Sequence, residues 1–217
     1  MKKARVDLTR DFIVAMTLAA LFGAVLDGVF GAGWLLPWDA SVAAWFRSYR
    51  SPGLTRVMTL ASWLGDPRLL VVASLGLGAA LLSFARRREF LTAGAVLAGG
   101  ATLHLLLKAA IQRPRPEGVW LAAADGYSFP SGHTVGAVLF YGVIAYLGVR
   151  MAARRGAERY LYTMLCAVTV LAVGVSRVYL GVHFFSDVLG GWIAGAFWLS
   201  LCLTAARGLR LRSCRHK

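Results

Sequence analysis

The chain has 217 residues, of which 58% are hydrophobic, and it carries a formal net charge of +14. An ordinary soluble domain is about 45–50% apolar, so this excess, with a mean hydropathy of +0.63, favours a membrane protein over a soluble globular domain. The charge alone fits either a nucleic-acid partner or the basic cytoplasmic loops of a membrane protein, and its placement along the chain separates the two.

Six segments are apolar and long enough to cross a bilayer as helices, which takes about 20 residues each. No internal repeat or low-complexity stretch divides them, so residues 1–217 are expected to form a single integral-membrane domain. The predicted fold class is all-α, a bundle of six transmembrane helices. The predicted spans are 12–30, 69–85, 90–111, 134–149, 160–178 and 185–206.

The first segment follows the basic stretch MKKAR and therefore resembles a signal peptide. Its apolar region is long, Asp27 interrupts it, and no small-x-small cleavage site follows. A secretory signal has a shorter apolar region and a clear cleavage site. We therefore expect a retained transmembrane helix.

The connection between the first two spans, residues 31–68, is long and carries apolar residues at helical spacing. Trp34, Trp38, Trp45 and Trp63 accompany them. Amphipathic helices that lie in the membrane interface have this pattern. We predict an interfacial helical segment whose tryptophans either form an aromatic belt or contact substrate.

Sixteen of the 24 Lys and Arg residues fall in four places that share one side of a six-span chain. By the positive-inside rule, this side and both termini are cytoplasmic. Because the charge is divided among short loops and tails, nucleic-acid binding loses its support, and contact with anionic lipid headgroups is favoured instead. The sixteen are Lys2, Lys3, Arg5, Arg10, Arg86, Arg87, Arg88, Arg150, Arg154, Arg155, Arg159, Arg207, Arg210, Arg212, Arg215 and Lys217.

Three polar stretches lie on the opposite, outer side, and the first is KAAIQRPRP, residues 108–116. Lys108 stands near the end of an apolar helix, where a lysine often extends its ammonium group to the interface. The prolines that follow end the helix and hold Arg113 and Arg115 with little conformational freedom. The stretch therefore favours a preorganised cationic patch.

The second outer stretch is PSGHT, residues 130–134. Ser131 is placed to cap a helix that starts near Thr134, and Gly132 lets the backbone approach a ligand closely. The N–H groups at a helix N-terminus bind anions, and His133 would stand beside such an anion as a proton donor. Taken alone, the stretch fits a helix cap with an incidental histidine equally well.

The third outer stretch is SRVYLGVHFFSD, residues 176–187. If residues 183–187 are helical, the i,i+4 spacing puts His183 and Asp187 on one face. Asp187 would accept a hydrogen bond from one imidazole nitrogen and leave the other as a nucleophile or base. Arg177 adds a cation to the same membrane face.

Together these stretches supply a helix N-terminus, two histidines, one carboxylate and the cations of Lys108, Arg115 and Arg177. Cations and backbone N–H donors suit a dianionic tetrahedral oxyanion. One histidine suits attack on phosphorus and the other protonation of the departing oxygen. Carboxylates are too few and too scattered for a two-metal site, so we expect phosphoryl transfer without a metal or other cofactor.

The three stretches resemble the signature of the type 2 phosphatidic acid phosphatase superfamily, which is K-x6-R-P, then P-S-G-H, then S-R-x5-H-x3-D. Every position matches, in order, across about 80 residues, from Lys108 to Asp187. The six-helix layout is similar to that of the integral-membrane lipid phosphatases of this group, including motifs on the outer side.

The resemblance implies a role for each matched residue. His183 would be the nucleophile that forms a phosphohistidine, Asp187 would orient it, and His133 would protonate the leaving group and then help to activate water. Arg113 belongs to an RP pair at the wrong interval from Lys108; with Ser176 it is kept as a supporting residue or headgroup contact. The residues expected to hold the phosphoryl oxygens are Lys108, Arg115, Ser131, Gly132 and Arg177.

The preferred interpretation is a bacterial-type inner-membrane lipid phosphatase with its site at the periplasmic leaflet. Candidate substrates are phosphatidic acid, phosphatidylglycerol phosphate, undecaprenyl diphosphate and lipid A phosphates. A lipid-to-lipid phosphotransferase using the same site, and a non-catalytic protein that binds or transports lipid phosphates, are the alternatives. Vanadium haloperoxidases share the site pattern but are soluble, and oligomeric state has no signal in the sequence.

Overall fold

The computed structural model describes residues 2–151 and 156–213, and all regular elements within these ranges are α-helices, which confirms the predicted all-α class. Arg154, Arg155, Arg215 and Lys217, which belong to the charge pattern above, lie outside the described residues. The described ranges contain α1 (Lys2–Phe30), α2 (Leu36–Ser48), α3 (Pro52–Trp63), α4 (Pro67–Ser83), α5 (Arg87–Ile111), α6 (Gly132–Met151), α7 (Gly156–Tyr179) and α8 (Phe185–Ser213).

Six stretches of the described chain are long and apolar enough to span a membrane, as predicted. Their helices begin earlier or end later than most predicted spans, because Arg, Lys and Glu continue a helix well beyond its apolar part. Only α4 ends sooner than expected, since Ala85 adopts a left-handed φ of 54° that closes the helix. The stretches are Thr9–Phe30, Pro52–Ser83, Arg87–Ile111, Gly132–Arg150, Gly156–Tyr179 and Phe185–Leu209.

The segment predicted to lie in the interface between the first two spans contains two helices, α2 and α3, and α3 is also part of the apolar stretch Pro52–Ser83. Ser51 starts α3 by accepting a hydrogen bond from the Leu54 N–H (3.3 Å), with Pro52 as the first helical residue. Asp66 starts α4 in the same way through the N–H groups of Arg68 and Leu69 (2.8 and 3.3 Å). Side-chain caps of this kind satisfy N–H groups that a helix leaves unpaired.

Helix α2 has two unlike faces. Trp38 and Trp45 are 60% and 56% exposed, whereas Asp39 between them is 3% exposed. The apolar face suits the lipid interface. The buried carboxylate requires a partner inside the protein, because an unpaired buried charge is very costly.

Helices α6 and α8 form the centre of the bundle. Helix α8 packs against α1 and α6, helix α6 packs against α5 and α7, and α3 lies on α7. Buried Val96, Val135, Leu139 and Val143 fill the space between α5 and α6. The starts of α6 and α8 and the end of α7 thereby meet on one side of the molecule.

The 112–131 connection covers that meeting point. Helix α5 ends at Gln112, which has a left-handed φ of 49°, and prolines follow directly. The connection is held by hydrogen bonds from Ser128 N to Arg113 O (2.7 Å) and from Leu121 N to Leu180 O (2.9 Å). It therefore brings the first and second polar stretches against the turn that contains the third.

Candidate active site

His183 and Asp187 face each other inside the protein, as their spacing predicted. His183 Nδ1 lies 3.4 Å from Asp187 Oδ2, and both side chains are buried. Residues 183–187 are helical only from Phe185, which is where the last span was predicted to begin. Helix α7 ends at Tyr179, the chain turns at Gly181 with φ 78°, and α8 begins only at Phe185. His183 therefore lies in the turn, and Asp187 reaches back to it from the first turn of α8.

Asp187 is held by hydrogen bonds on both of its oxygens. Oδ2 accepts from the Phe184 N–H (2.8 Å) and from the Ser128 hydroxyl, while Oδ1 accepts from Arg113 Nη1 (2.7 Å). The bond to Phe184 resembles the reach of an acidic residue back to the start of its own helix. A carboxylate with this many donors is fixed in place as an anion.

These contacts assign the proton of the neutral His183 ring to Nδ1. Asp187 Oδ2 accepts a hydrogen bond from Nδ1–H, and Ser128 Oγ lies 3.3 Å from the same nitrogen. Burial lowers the pKa of His183 to about 4; Asp187 opposes this shift, whereas the cations of Arg115 and Arg177 add to it. At neutral pH the ring is thus uncharged, with an available lone pair on Nε2.

Arg115 lies against that lone pair. Its Nη1 is 3.2 Å from His183 Nε2 and donates to Val182 O (2.7 Å). Its Nε and Nη2 donate to the carbonyls of Gly126 (2.9 Å) and Asp125 (2.7 Å). Burial lowers the pKa of this guanidinium, and the Asp187 and Asp125 carboxylates raise it. The guanidinium is therefore preorganised beside the nitrogen that would attack.

Two further cations approach the same place. Lys108 is close enough to interact electrostatically with Arg115 and Asp187. Arg177 is 3% exposed and donates from Nη1 to Ser62 Oγ (2.5 Å). Within residues 2–151 and 156–213, its Nε is the buried side-chain nitrogen that has no hydrogen-bond partner. A buried donor left unpaired costs about 1–3 kcal/mol, so an oxyanion at this position would stabilise it.

The PSGHT stretch starts α6 at Gly132, two residues earlier than predicted. The first hydrogen bond of the helix runs from Val135 N to Ser131 O (3.0 Å), so the N–H groups of residues 132–134 have no partner within the helix. The Ser131 N–H instead donates to Asp187 O (3.1 Å), and Ser131 Oγ accepts from Thr134 Oγ1 (3.0 Å). The helix N-terminus is thereby fastened to the start of α8.

Gly132 lies close to the ring of His104. A Cβ atom at Gly132 would lie 3.1 Å from His104 Cε1, tighter than ordinary contact. His104 Nε2 is 3.2 Å from Pro130 O. His104 therefore packs against this stretch and contacts its backbone.

His133 begins the same helix and is close enough to Arg177, His183 and Asp66 to interact with them electrostatically. The structure thus brings His133, in the first turn of α6, and His183, in the turn before α8, into one site although they lie fifty residues apart in sequence. Two histidines in one cationic pocket provide the components of a nucleophile and a proton donor.

The two supporting candidates have different surroundings. Arg113 is 6% exposed and is enclosed by Asp39, Ser186 and Asp187, so it does not face a headgroup. Ser176 is buried, but its hydroxyl donates to Val173 O (2.6 Å) within its own helix. Of the two, only Arg113 contacts the side chains around His183.

Four polar residues of the site had no place in the motif analysis: Asp39, Ser62, Ser128 and Ser186. Asp39 carried a usable signal, because an ionisable residue among apolar neighbours in a membrane-associated helix is costly and usually has a function. The three serines carried none, since a hydroxyl in an apolar segment most often bonds to its own backbone.

Comparison with known proteins agrees with the motifs. The PAP2 superfamily model matches residues 89–210. Phosphatidylglycerophosphatase B of Bacillus subtilis (strain 168) is 36% identical over 146 residues, which cover 67% of this chain and 72% of that protein.

Two crystal structures resemble the fold. That of the first transmembrane PAP2-type phosphatidylglycerolphosphate phosphatase, from Bacillus subtilis, aligns with a TM-score of 0.80 at 30% identity, covering 87% of this chain and 94% of that one. Aquifex aeolicus LpxE aligns with a TM-score of 0.58 at 24% identity, over 76% and 93%, and supports the fold alone. With its three motifs complete, the chain belongs to the PAP2 superfamily and is a membrane lipid phosphatase of that group.

Proposed function

We propose that the protein hydrolyses a lipid phosphate or diphosphate through a phosphohistidine on His183, without a metal ion. The observation that carries this proposal is the environment of His183. Asp187 Oδ2 accepts the hydrogen bond from Nδ1–H, and Arg115 Nη1 lies 3.2 Å from Nε2, the nitrogen that would attack phosphorus. A neutral, oriented imidazole beside a fixed cation is an activated nucleophile with its charge stabiliser in place.

The first half-reaction would transfer the phosphoryl group to the protein. His183 Nε2 donates its lone pair to phosphorus, and the bond from phosphorus to the lipid oxygen breaks. His133 gives its proton to that departing oxygen. Lys108, Arg115 and Arg177, with Ser131 and the Gly132 N–H, would hold the nonbridging oxygens, and the unpaired Arg177 Nε supplies one of these donors.

The second half-reaction would return His183 to its starting state. Neutral His133 accepts a proton from water as the water oxygen attacks phosphorus. The bond from phosphorus to Nε2 breaks, its electron pair returns to the ring, and inorganic phosphate leaves. Asp187 stabilises the charge that develops on His183 in both halves.

Phosphatidylglycerol phosphate is the substrate we place first among the candidates. The protein shares 36% identity with phosphatidylglycerophosphatase B of Bacillus subtilis. Phosphatidic acid, undecaprenyl diphosphate and lipid A phosphates present the same terminal phosphoryl group, so the pocket chemistry suits each of them.

We further propose that the site faces the periplasm in a bacterial-type inner membrane and that both termini are cytoplasmic. The site lies at the end of the bundle where α2 and α3 expose their tryptophans. The Arg86–Arg88 cluster lies where α4 ends and α5 begins, at the opposite end of the bundle, which the positive-inside rule assigns to the cytoplasm.

This orientation predicts that a cysteine introduced at position 117 is labelled from the periplasm and that one introduced at position 86 is not.

The substrate proposal is tested by phosphate release from a panel of the four lipid phosphates in detergent, with and without chelator. We expect release to be fastest with phosphatidylglycerol phosphate and unchanged by EDTA, because the charge is stabilised by side chains. Chelator-sensitive release would contradict the metal-independent step.

Two further measurements separate the alternatives. Product analysis with and without an added acceptor lipid distinguishes hydrolysis from phosphotransfer. Failure to trap an acid-labile phosphoprotein with any lipid would favour a non-catalytic binding protein.

The pH dependence provides a separate prediction. Because burial and neighbouring cations hold the pKa of His183 near 4, the nucleophile should keep its lone pair well below the ordinary value of about 6.5. Activity should persist at pH 5–6 and be lost as the pH falls through about 4. The measurement is kcat/KM against pH with a soluble phosphomonoester; an acidic midpoint near 6.5 would contradict it.

A further inference from the structure

A buried cluster outside the three motifs joins helix α2 to the nucleophile. Arg113 Nη2 donates to Asp39 Oδ2 (2.8 Å), and Arg113 Nη1 donates to Asp187 Oδ1 (2.7 Å). One guanidinium thus bridges a carboxylate of α2 and the carboxylate that contacts His183. The planar guanidinium group supplies two hydrogen-bond donors at a fixed angle, and an ammonium group does not.

Ser186 closes the cluster from α8. Its N–H donates to Asp39 Oδ1 (2.8 Å), and its hydroxyl donates to Asp39 Oδ2 (2.6 Å). Asp39 therefore accepts an N–H from the first turn of the helix that carries Asp187. A carboxylate is favoured at that end of a helix by both hydrogen bonding and the helix dipole. Asp39 caps α8 from another helix, 147 residues earlier in the chain.

The cluster is fully enclosed. Asp39, Arg113 and Ser186 are 3%, 6% and 0% exposed. The Phe184 ring lies 4.1 Å from Arg113 Cζ and covers the guanidinium. With so little water, each contact is strong, and removing one partner leaves the others uncompensated.

We propose that Asp39 and Arg113 are positioning residues that fix Asp187 and, through it, the ring of His183. The inference rests on the proposed role of His183 as the nucleophile. Neither residue touches the phosphoryl pocket. Their effect would be on how fast bound substrate reacts rather than on how tightly it binds.

Loss of Arg113 and loss of the Asp39 charge should shift the pKa of His183 in opposite directions. The charged or titratable groups around His183 are Asp187 from α8, Arg115 from the 112–131 connection, Arg177 from α7 and His133 from α6. Arg113 neutralises part of the Asp187 charge, and Asp39 neutralises part of Arg113. Losing Arg113 exposes His183 to more negative charge and should raise its pKa; losing the Asp39 charge should lower it.

The test compares Arg113→Gln, Arg113→Lys and Asp39→Asn with the wild type. In all three we expect kcat to fall about 10–100-fold, since a displacement of about 1 Å at the reacting atoms has that effect, while KM changes less than about threefold. The acidic midpoint of kcat/KM, which reports the pKa of the free protein, should rise by about one pH unit in Arg113→Gln and fall in Asp39→Asn. It should move least in Arg113→Lys, which keeps the charge but not the two donor groups at a fixed angle.

Arg50→Gln is the matched control. Arg50 also joins the α2–α3 region to the end of α7, through hydrogen bonds to Tyr179 O (3.1 and 3.3 Å), but it does not contact Asp187. Its loss should reduce thermal stability without moving the pH midpoint. The same midpoint in the wild type and in folded Arg113→Gln, or shifts of the same sign in Arg113→Gln and Asp39→Asn, would overturn the proposal.

A second readout separates this inference from the proposed function. In protein labelled with 15N-histidine, the resonance absent from His183→Gln reports the titration of His183 without any turnover. Opposite shifts in the two variants would support the positioning role even if His183→Gln proved active and the phosphohistidine proposal failed. If Arg113→Gln does not fold, Asp39→Asn and Arg113→Lys decide: unchanged kcat and unchanged titration in both would overturn the inference.

Discussion

A His183→Ala variant should release phosphate from lipid substrate at least about 10⁴-fold more slowly than the wild type, because a nucleophile has no substitute within the site. Replacing the imidazole with a methyl group also removes the nitrogen that would carry the phosphoryl group. We therefore expect no acid-labile label on the protein after incubation with ³²P-labelled lipid. The measurements are phosphate release and acid-quenched gel labelling.

The control for this variant is His104→Gln. His104 is another histidine below the site, and a glutamine amide can also donate to Pro130 O, to which His104 Nε2 is 3.2 Å away. We expect its activity to stay within about tenfold of the wild type, because packing rather than chemistry is altered. Normal activity in folded His183→Ala would end the phosphohistidine mechanism.

His133→Gln should show a dependence on the leaving group that His183→Ala does not. A lipid alkoxide must be protonated as it departs, so loss of the general acid should slow turnover about 10²–10⁴-fold. Nitrophenolate leaves without a proton. With p-nitrophenyl phosphate the variant should therefore transfer the phosphoryl group at a near-normal rate and release a burst of nitrophenol.

The burst also reports the second half-reaction. Without His133 to activate water, the phosphoprotein should accumulate, and steady-state release of phosphate should remain slow after one equivalent of nitrophenol. Stopped-flow absorbance and phosphate analysis on the same samples measure both rates. Equal slowing of the first step, formation of the phosphoprotein, with lipid and nitrophenyl substrates would show that His133 does not protonate the leaving group.

Which motif residues meet at the site could be predicted from the sequence because each of them is specified by type and interval. Lys108 and Arg115 bracket a helix end, and His183 and Asp187 lie four residues apart. The interval predicted that the last pair would meet if residues 183–187 were helical, and the pair meets although α8 begins only at Phe185, the predicted start of the last span. Gly181 turns the chain out of the helix, yet the short separation still lets the carboxylate reach the ring.

The residues that support the motifs could not be found in this way. Ser62 contacts Arg177 across 115 residues of sequence, and Asp39 contacts Arg113 across 74. Such pairs depend on how α2 and α3 lie against α7 and α8, and helix packing leaves no local pattern at either partner. The number of spans was predictable, because it depends only on the length and composition of each segment.

The positions of Asp39 and Ser62 in the sequence determine which parts of the protein can be exchanged with a relative. All three motifs lie beyond residue 107, but Asp39 and Ser62 belong to α2 and α3. A fragment or chimera that replaced α2 and α3 would keep every motif and still remove one hydrogen-bond partner from each of two buried guanidinium groups, Asp39 from Arg113 and Ser62 from Arg177. Exchanging α5 to α8, the part of the chain that carries the motifs, between relatives should therefore preserve turnover only when α2 and α3 are transferred together with them.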